Sequence, residues 1–367
     1  MKAYVIPVSA YLAVAIAGGY GTGREVVEFF SVSGAYGGLI GIALAASLIS
    51  IITAISFEFA RIFKVYDYRS FIKELIGPFW FLFEILYVFL FLIVLAVVTA
   101  AAGSMMSDRL GISENFGLFS MIAIIGCLLF FGRSVVEKSL VIVAVLLFSA
   151  FVYYFYSVWA VDGNDIVEQL NVASISDRSW LVPAFQFAMY SATAVTIVLF
   201  SARGIEKRVD ALVSGTIAGV LFMIPGLVFH ISFLGRLDQV IIEDVPIYWM
   251  IDQVSAPGLM PIYLVAMFLT FLGTGLGFLQ AVNERLDAWS TSRGGKPFGQ
   301  WAHVGVGIAG LLISAGLGQF GIIALIAKGY GTISWGFLFI FVLPVISIGV
   351  VKIKRASNQV EIQKELV

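Results

Sequence analysis

Ten apolar runs, each near the length that crosses a bilayer, dominate this 367-residue chain and leave it few folds to choose from. Windows of about 19 residues put them at about 5–30, 35–60, 78–106, 116–132, 138–160, 179–202, 211–234, 259–283, 301–318 and 331–351. Phe320 to Ala327 reads as a short helix or re-entrant piece leading into the tenth. Only 12% of residues are charged, against about a quarter in soluble domains, so an all-α polytopic membrane protein is expected.

Charge placement supports the count. With the N-terminus inside, 17 of the 22 Lys and Arg residues fall in inner segments, Arg61, Arg133, Arg203, Arg285 and Lys352 among them. The outer segments hold Arg24, Arg109, Arg178, Arg236 and Lys328. This asymmetry obeys the positive-inside rule and predicts that both termini are cytoplasmic. Residues 1–351 then form a single transmembrane domain and 352–367 a cytoplasmic tail. Because five is odd, the halves 5–160 and 179–351 start with opposite orientation, the arrangement of two inverted five-helix repeats. A net charge of −1 gives no sign of a nucleic-acid partner. The single cysteine, Cys127, lies in an apolar run and is expected to be a small buried hydrophobe. One cysteine and two histidines leave too few soft ligands for a zinc site, and no resident cofactor or metal is expected.

The first run is interrupted by Gly18-Gly19-Tyr20-Gly21-Thr22-Gly23. Val5 to Ala17 is too short to cross alone, and the break plus Arg24-Glu25-Val26-Val27-Glu28-Phe29-Phe30 completes the crossing. Glycine costs about 1 kcal/mol per helix position relative to alanine, so this cluster predicts locally unwound backbone. Irregular backbone survives at membrane depth only inside protein or beside a watery cavity, so helix 1 is expected to be broken at a binding site. The inverted repeat asks for a matching break in helix 6, where Trp180 to Ala194 carries small and hydroxylated residues midway but no glycine.

Candidate groups follow from these breaks. Gly18, Gly19, Gly21, Thr22, Gly23 and Arg24 could bind substrate, the amides of Thr22, Gly23 and Arg24 holding a carboxylate as helix N-termini hold anions. In span 6 the carbonyls around Met189 and Tyr190 could take an ammonium beside Ser191, with Phe187 and Tyr190 as an aromatic lid. Carbonyls of Ala17 and Tyr20, facing Thr270 and Thr274 of span 8, offer oxygen ligands to Na+. Glu25, Glu28 and Glu84 are the intramembrane carboxylates that could carry a coupling proton instead. Arg24 and Glu28, four apart, are positioned to pair at the outer interface, unless Arg24 points inward. His230 and His303 read as hydrogen-bonded core residues, Lys328 as an interfacial residue and Arg285 as an inner gate or loop contact. Pro246 to Ile251 reads as a short amphipathic helix in the longest outer connection.

On the residues Gly18 to Phe30 and Ala327-Lys328-Gly329-Tyr330-Gly331, the chain resembles the YkvI-like family of bacterial membrane proteins, in the amino acid–polyamine–organocation superfamily. Gly19, Gly23, Glu25, Phe29 and Phe30 match that family's first-span motif, and Arg24 stands where glutamine is commoner. Glu58-Phe59-Ala60-Arg61 is similar to a pattern of sodium-coupled neurotransmitter transporters. The resemblance implies the leucine-transporter fold, a bacterial cytoplasmic (inner) membrane location and an outer helix capping the vestibule. Sodium-using members of that fold present adjacent hydroxyls on span 8, whereas Thr270 and Thr274 are one turn apart, which leaves Na+ and H+ both open as the coupling ion.

The expected function is ion-coupled secondary active transport of a small zwitterionic solute, an amino acid or related amine, by alternating access. The alternatives are a transporter-like receptor and a passive channel, though no carbonyl filter or charged ring is readable. A membrane-embedded enzyme ranks last, because the chain carries neither His-Glu-x-x-His nor a nucleophile elbow. Expected partners are the solute and the lipid bilayer, with a homodimer left open.

Overall fold

A computed structural model describes residues 2–131, 133–173, 178–254 and 256–365, and helices account for nearly all of them. The first span is two pieces, α1 (Lys2–Gly19) and α2 (Arg24–Phe29), joined by the non-helical residues 20–23. The second to fifth spans are α3 (Gly34–Phe63), α5 (Trp80–Leu110), α6 (Glu114–Phe131) and α7 (Arg133–Val172), with the short α4 (Tyr68–Ile76) between the second and third. Span 6 opens as α8 (Leu181–Ser191) and continues as 3-10 turns, Ala192–Ile197 and Leu199–Gly204. Then come α9 (Arg208–Phe233), the small α10 (Leu237–Val240) and α11 (Pro246–Gln253), α12 (Leu259–Ser292) and α13 (Gln300–Gly318). The last span runs from α14 (Ile322–Ala324) through a π-helical stretch, Leu325–Tyr330, into α15 (Gly331–Phe337). Two more π stretches, Leu338–Val342 and Val345–Gly349, lead to α16 (Val350–Glu365).

Each of the ten predicted spans thus has its helix, with three changes. Phe320 to Ala327 is not a separate piece: the tenth span begins at Ile322 without a gap. The fifth, expected over 138–160, belongs to a 40-residue helix. Cys127 is exposed on the bundle surface rather than buried, since an apolar residue in a membrane helix is equally at home against lipid. Among the described residues six stretches suffice by length and composition to cross a membrane: Arg24–Phe63, Tyr68–Arg109, Arg208–Val240, Leu259–Leu276, Gln300–Gly318 and Ile322–Gln359.

Local chemistry sets the boundaries. The Asp67 carboxylate accepts from the Ser70 amide at 2.9 Å and caps α4. Pro246 occupies the first turn of α11, where its missing N–H costs nothing. Gly111, at φ 64°, ends α5 in the left-handed conformation that glycine adopts most easily.

The packing repeats with a period of five spans. Span 1 lies on span 7 and span 6 on span 2; spans 2 and 7 pack on each other. Likewise span 3 lies on span 9 and span 8 on span 4. Exchanging each span for the one five places away leaves this pattern unchanged, as inverted repeats require. At the α3–α9 seam Gly215 and Gly219 press against the backbone of Ala54 and Ser50, and the Ser50 hydroxyl donates to the Thr216 carbonyl at 3.0 Å. Small residues here replace the hydrophobic driving force that lipid cannot supply. One end of the bundle carries Arg61, Arg203 and Arg285 and is called the basic face below. There Lys352 of α16 reaches Glu74 of α4, Nζ to Oε1 at 2.8 Å. On the opposite face Arg236 holds the buried Asp162 of α7 through two hydrogen bonds of 2.8 and 2.7 Å.

Candidate functional site

The break in span 1 is built from its glycines. Gly23 adopts φ 74°, a left-handed conformation, and a Cβ there would lie 2.7 Å from Ile247. A Cβ on Gly21 would fall 2.0 Å from the Met267 methyl, so glycine lets the break lie against α12. The Tyr263 hydroxyl of α12 donates to the Gly21 carbonyl at 2.9 Å and fixes the turn. Ala17, Gly18 and Gly19 end α1, and their side-chain surroundings lie outside the described residues.

Two of the three amides expected to hold a carboxylate are already bonded. The Gly23 amide donates to the Tyr20 carbonyl at 3.1 Å, and the Arg24 amide to the Thr22 hydroxyl at 3.2 Å. Thr22 is buried, and its carbonyl faces the Ile247 amide of α11 at 3.5 Å.

Span 6 breaks differently. No loop opens: at Ala192 the α-helix tightens to 3-10 geometry, a change that needs no glycine. The Thr193 hydroxyl donates to the Tyr190 carbonyl at 2.6 Å, and Tyr11 of α1 donates to the Ser191 carbonyl at 3.2 Å. The Tyr190 carbonyl, expected to take an ammonium, therefore already accepts a hydrogen bond, as does its neighbour at Ser191.

Between the two breaks lies a cavity of about 70 Å³. Its walls are largely apolar, with Val14 and Ala15 from α1, Leu90 and Val94 from α5, and Phe278 from α12. The polar lining comes from Glu25, Tyr87, Tyr190, Ser191, Thr193, Thr274 and Tyr330. Glu25 of α2 is 3% exposed and accepts a hydrogen bond from the Tyr190 hydroxyl at 2.7 Å. Tyr330, held in the π-helical stretch of span 10, stacks on Tyr190 with ring centroids 4.7 Å apart.

Above this cavity, toward the opposite face, Phe187 is fully buried between Phe29 and Phe30 of span 1 and Phe222 of α9. It roofs the cavity without lining it. Arg24 seals the same side. Although only 3% exposed, its guanidinium turns away from the cavity and donates to the carbonyls of Ile241 at 2.5 Å and Glu243 at 3.2 Å. It also pairs with Glu28 at 2.9 Å, the i,i+4 pair read from the sequence. This pair is a buried clasp to the α10–α11 connection, neither a surface pair nor a cavity charge.

Glu84 sits toward the basic face, accepting from the Tyr68 hydroxyl at 2.6 Å, with Arg285 at 3.7 Å. The Arg285 guanidinium lies over the rings of Tyr68 and Tyr87, 4.1 and 4.3 Å from their centroids, which places it at the cavity mouth. Arg61 clasps Glu58 with two bonds of 2.7 and 2.8 Å and donates to the Glu206 carbonyl at 3.1 Å, tying α3 to the end of span 6.

Thr270 and Thr274 share a face as their spacing requires, but each hydroxyl donates back along its own helix, to Ala266 and Thr270. Only Thr274 reaches the cavity. The Tyr20 side chain is buried, its hydroxyl 3.3 Å from the Met223 sulfur. His230 is a core residue, bonded to the Ser31 hydroxyl and the Ala35 carbonyl at 2.9 Å each. His303 is not on an apolar face: it meets the Asp287 carboxylate at 3.0 Å. Lys328 is exposed. Sequence reasoning assigned no role to Tyr11, Tyr87, Thr193 or Tyr330. Only Tyr330 left a signal there, within Lys328-Gly329-Tyr330-Gly331.

The same chain trace recurs in solved transporter structures. It matches MhsT in complex with L-phenylalanine with a TM-score of 0.60 at 12% identity, covering 96% of this chain and 98% of that one. It matches a manganese transporter of Eremococcus coleocola with a TM-score of 0.63 at 12% identity, over 94% of this chain and 78% of that one. It also matches a Na+-coupled sialic acid symporter with a TM-score of 0.56 at 12% identity, over 95% and 87%. At these identities the likeness shows the fold, and it is the leucine-transporter fold implied by the sequence resemblance. No protein-family model matches the sequence and no curated protein matches it, so the YkvI-like membership stays without support.

Proposed function

We propose that this protein is a secondary active transporter that moves a small solute, an amino acid or related amine, by alternating access. One observation carries the reading: a largely apolar cavity with a few polar groups between the two interrupted spans, reaching toward the basic face and closed from the other by Phe187 and the Arg24 clasp. A site bounded by two interrupted spans and closed from one side fits one half of an alternating-access cycle. The transporters with the same trace support this reading.

By the charge asymmetry the basic face is cytoplasmic, so the cavity represents the inward-facing half of the cycle. Coupling would run through Na+ at Thr270 and Thr274, with the carbonyls of Ala17 and Tyr20, or through a proton at Glu25. Of these groups Glu25 and Thr274 border the cavity.

Reconstitution into proteoliposomes tests the proposal. Preloaded unlabelled solute should drive counterflow of labelled solute, and an imposed Na+ or pH gradient should drive accumulation. Equilibration without accumulation under either gradient would make the protein a channel. Binding without counterflow would make it a receptor.

A further inference from the structure

Glu25 is the sole ionisable carboxylate or base that borders the cavity among the described residues, and no described cation pairs with it. The nearest candidate, Arg24, is committed to Ile241, Glu243 and Glu28. One oxygen of Glu25 accepts from Tyr190; the other has no hydrogen-bond partner among the described residues. The remaining titratable groups facing it are phenols, Tyr190 on α8, Tyr330 on span 10 and Tyr20 in the break. A buried carboxylate without a counter-charge is costly, and the cost is relieved by a proton or by a cation brought into the site.

We infer that the cavity selects its solute by a positively charged nitrogen, with Glu25 as counter-ion and no basic side chain among its described lining residues to hold a carboxylate: the cargo is a small organic amine rather than an amino acid. This deepens the transporter reading and rests on it. Two of the three amides offered to a carboxylate, those of Gly23 and Arg24, are occupied within the break, and an ionised Glu25 would repel it. The stacked rings of Tyr190 and Tyr330 add an electron-rich wall of the kind that attracts ammonium groups. Size and lining narrow the class further. About 70 Å³ holds on the order of five waters, too much room for a bare metal ion, and Val14, Leu90, Val94 and Phe278 suit a short alkyl chain.

Three probes with one carbon skeleton test this: isoamylamine, leucine and 4-methylpentanoate, titrated against the full chain in nanodiscs. Isoamylamine should bind at least tenfold more tightly than leucine, and 4-methylpentanoate should not bind. Glu25→Gln, which keeps the shape and removes the charge, should weaken isoamylamine at least thirtyfold. Tyr190→Phe, which frees Glu25 without removing it, should weaken it three- to tenfold, and a thermal melt of each variant checks folding. No binding of isoamylamine, or leucine or 4-methylpentanoate binding that Glu25→Gln leaves unchanged, overturns the inference. Counterflow separates the two claims. Amine binding that depends on Glu25 but gives no counterflow removes the transporter and keeps the cation site. Counterflow of leucine undiminished in Glu25→Gln removes the cation site and keeps the transporter.

Discussion

Replacing Arg24 by alanine should release the closed side of the cavity. The guanidinium makes three hydrogen bonds, but the one to Glu28 lies within α2 and survives when the α10–α11 connection lifts away. Only the bonds to the Ile241 and Glu243 carbonyls distinguish closed from open. Hydrogen bonds to charged groups contribute about 1.5–3 kcal/mol each, so the lower figure for two gives about 3 kcal/mol. At tenfold per 1.4 kcal/mol, this is a shift of roughly a hundredfold toward the open form. Thr22, buried under α11, supplies the reporter. In a Cys127→Ser background, Thr22→Cys should react slowly with a membrane-impermeant maleimide, and adding Arg24→Ala should raise the rate by one to two orders of magnitude. A rate unchanged within twofold would show that the clasp does not hold this face shut.

Three further outcomes concern the framework. Gly215→Ala puts a Cβ 2.2 Å from the Ala54 amide nitrogen, where ordinary contact begins near 3.4 Å, so α3 and α9 must separate by about 1 Å. A loss of about 2 kcal/mol is expected, read as a lower thermal midpoint in detergent, while the exposed Gly316→Ala, within α13 and facing open space, should keep or raise the midpoint. Gly23→Ala meets both Ile247 and a left-handed backbone that costs about 1–2 kcal/mol, so solute binding should fall before folding does, measured as affinity against melting temperature. Arg236→Met strands the buried Asp162 and should destabilise by roughly 3 kcal/mol; the double variant with Asp162→Leu should recover most of it, in the same thermal assay.

The ten spans were legible because a membrane permits few ways to satisfy a backbone, and hydropathy reports that constraint directly. The first break was legible too, since Gly23 holds a left-handed conformation that side chains rarely adopt and Gly21 lies close against Met267. Span 6 hid its break because a switch to 3-10 geometry at Ala192 asks nothing special of the residue. Arg24 was misjudged because its partners are main-chain oxygens more than 200 positions away, which leave no mark in residue type. The face shared by Thr270 and Thr274 followed from spacing, but their donation back along α12 did not. Hydropathy cannot tell lipid from protein as the neighbour of an apolar residue, which is why Cys127 faced outward against expectation.

The length of α7 has a practical consequence. Forty residues at 1.5 Å each make about 60 Å, twice the thickness of the hydrocarbon layer. Its final stretch from Asp162 to Val172 extends about 16 Å past the predicted span and is steadied at its base by Arg236. A helical reporter grafted in register after Val172 would turn with the core as one lever. Rocking between the two states would then become a swing that single-molecule optics can follow, and the graft would give electron microscopy a landmark outside the detergent belt.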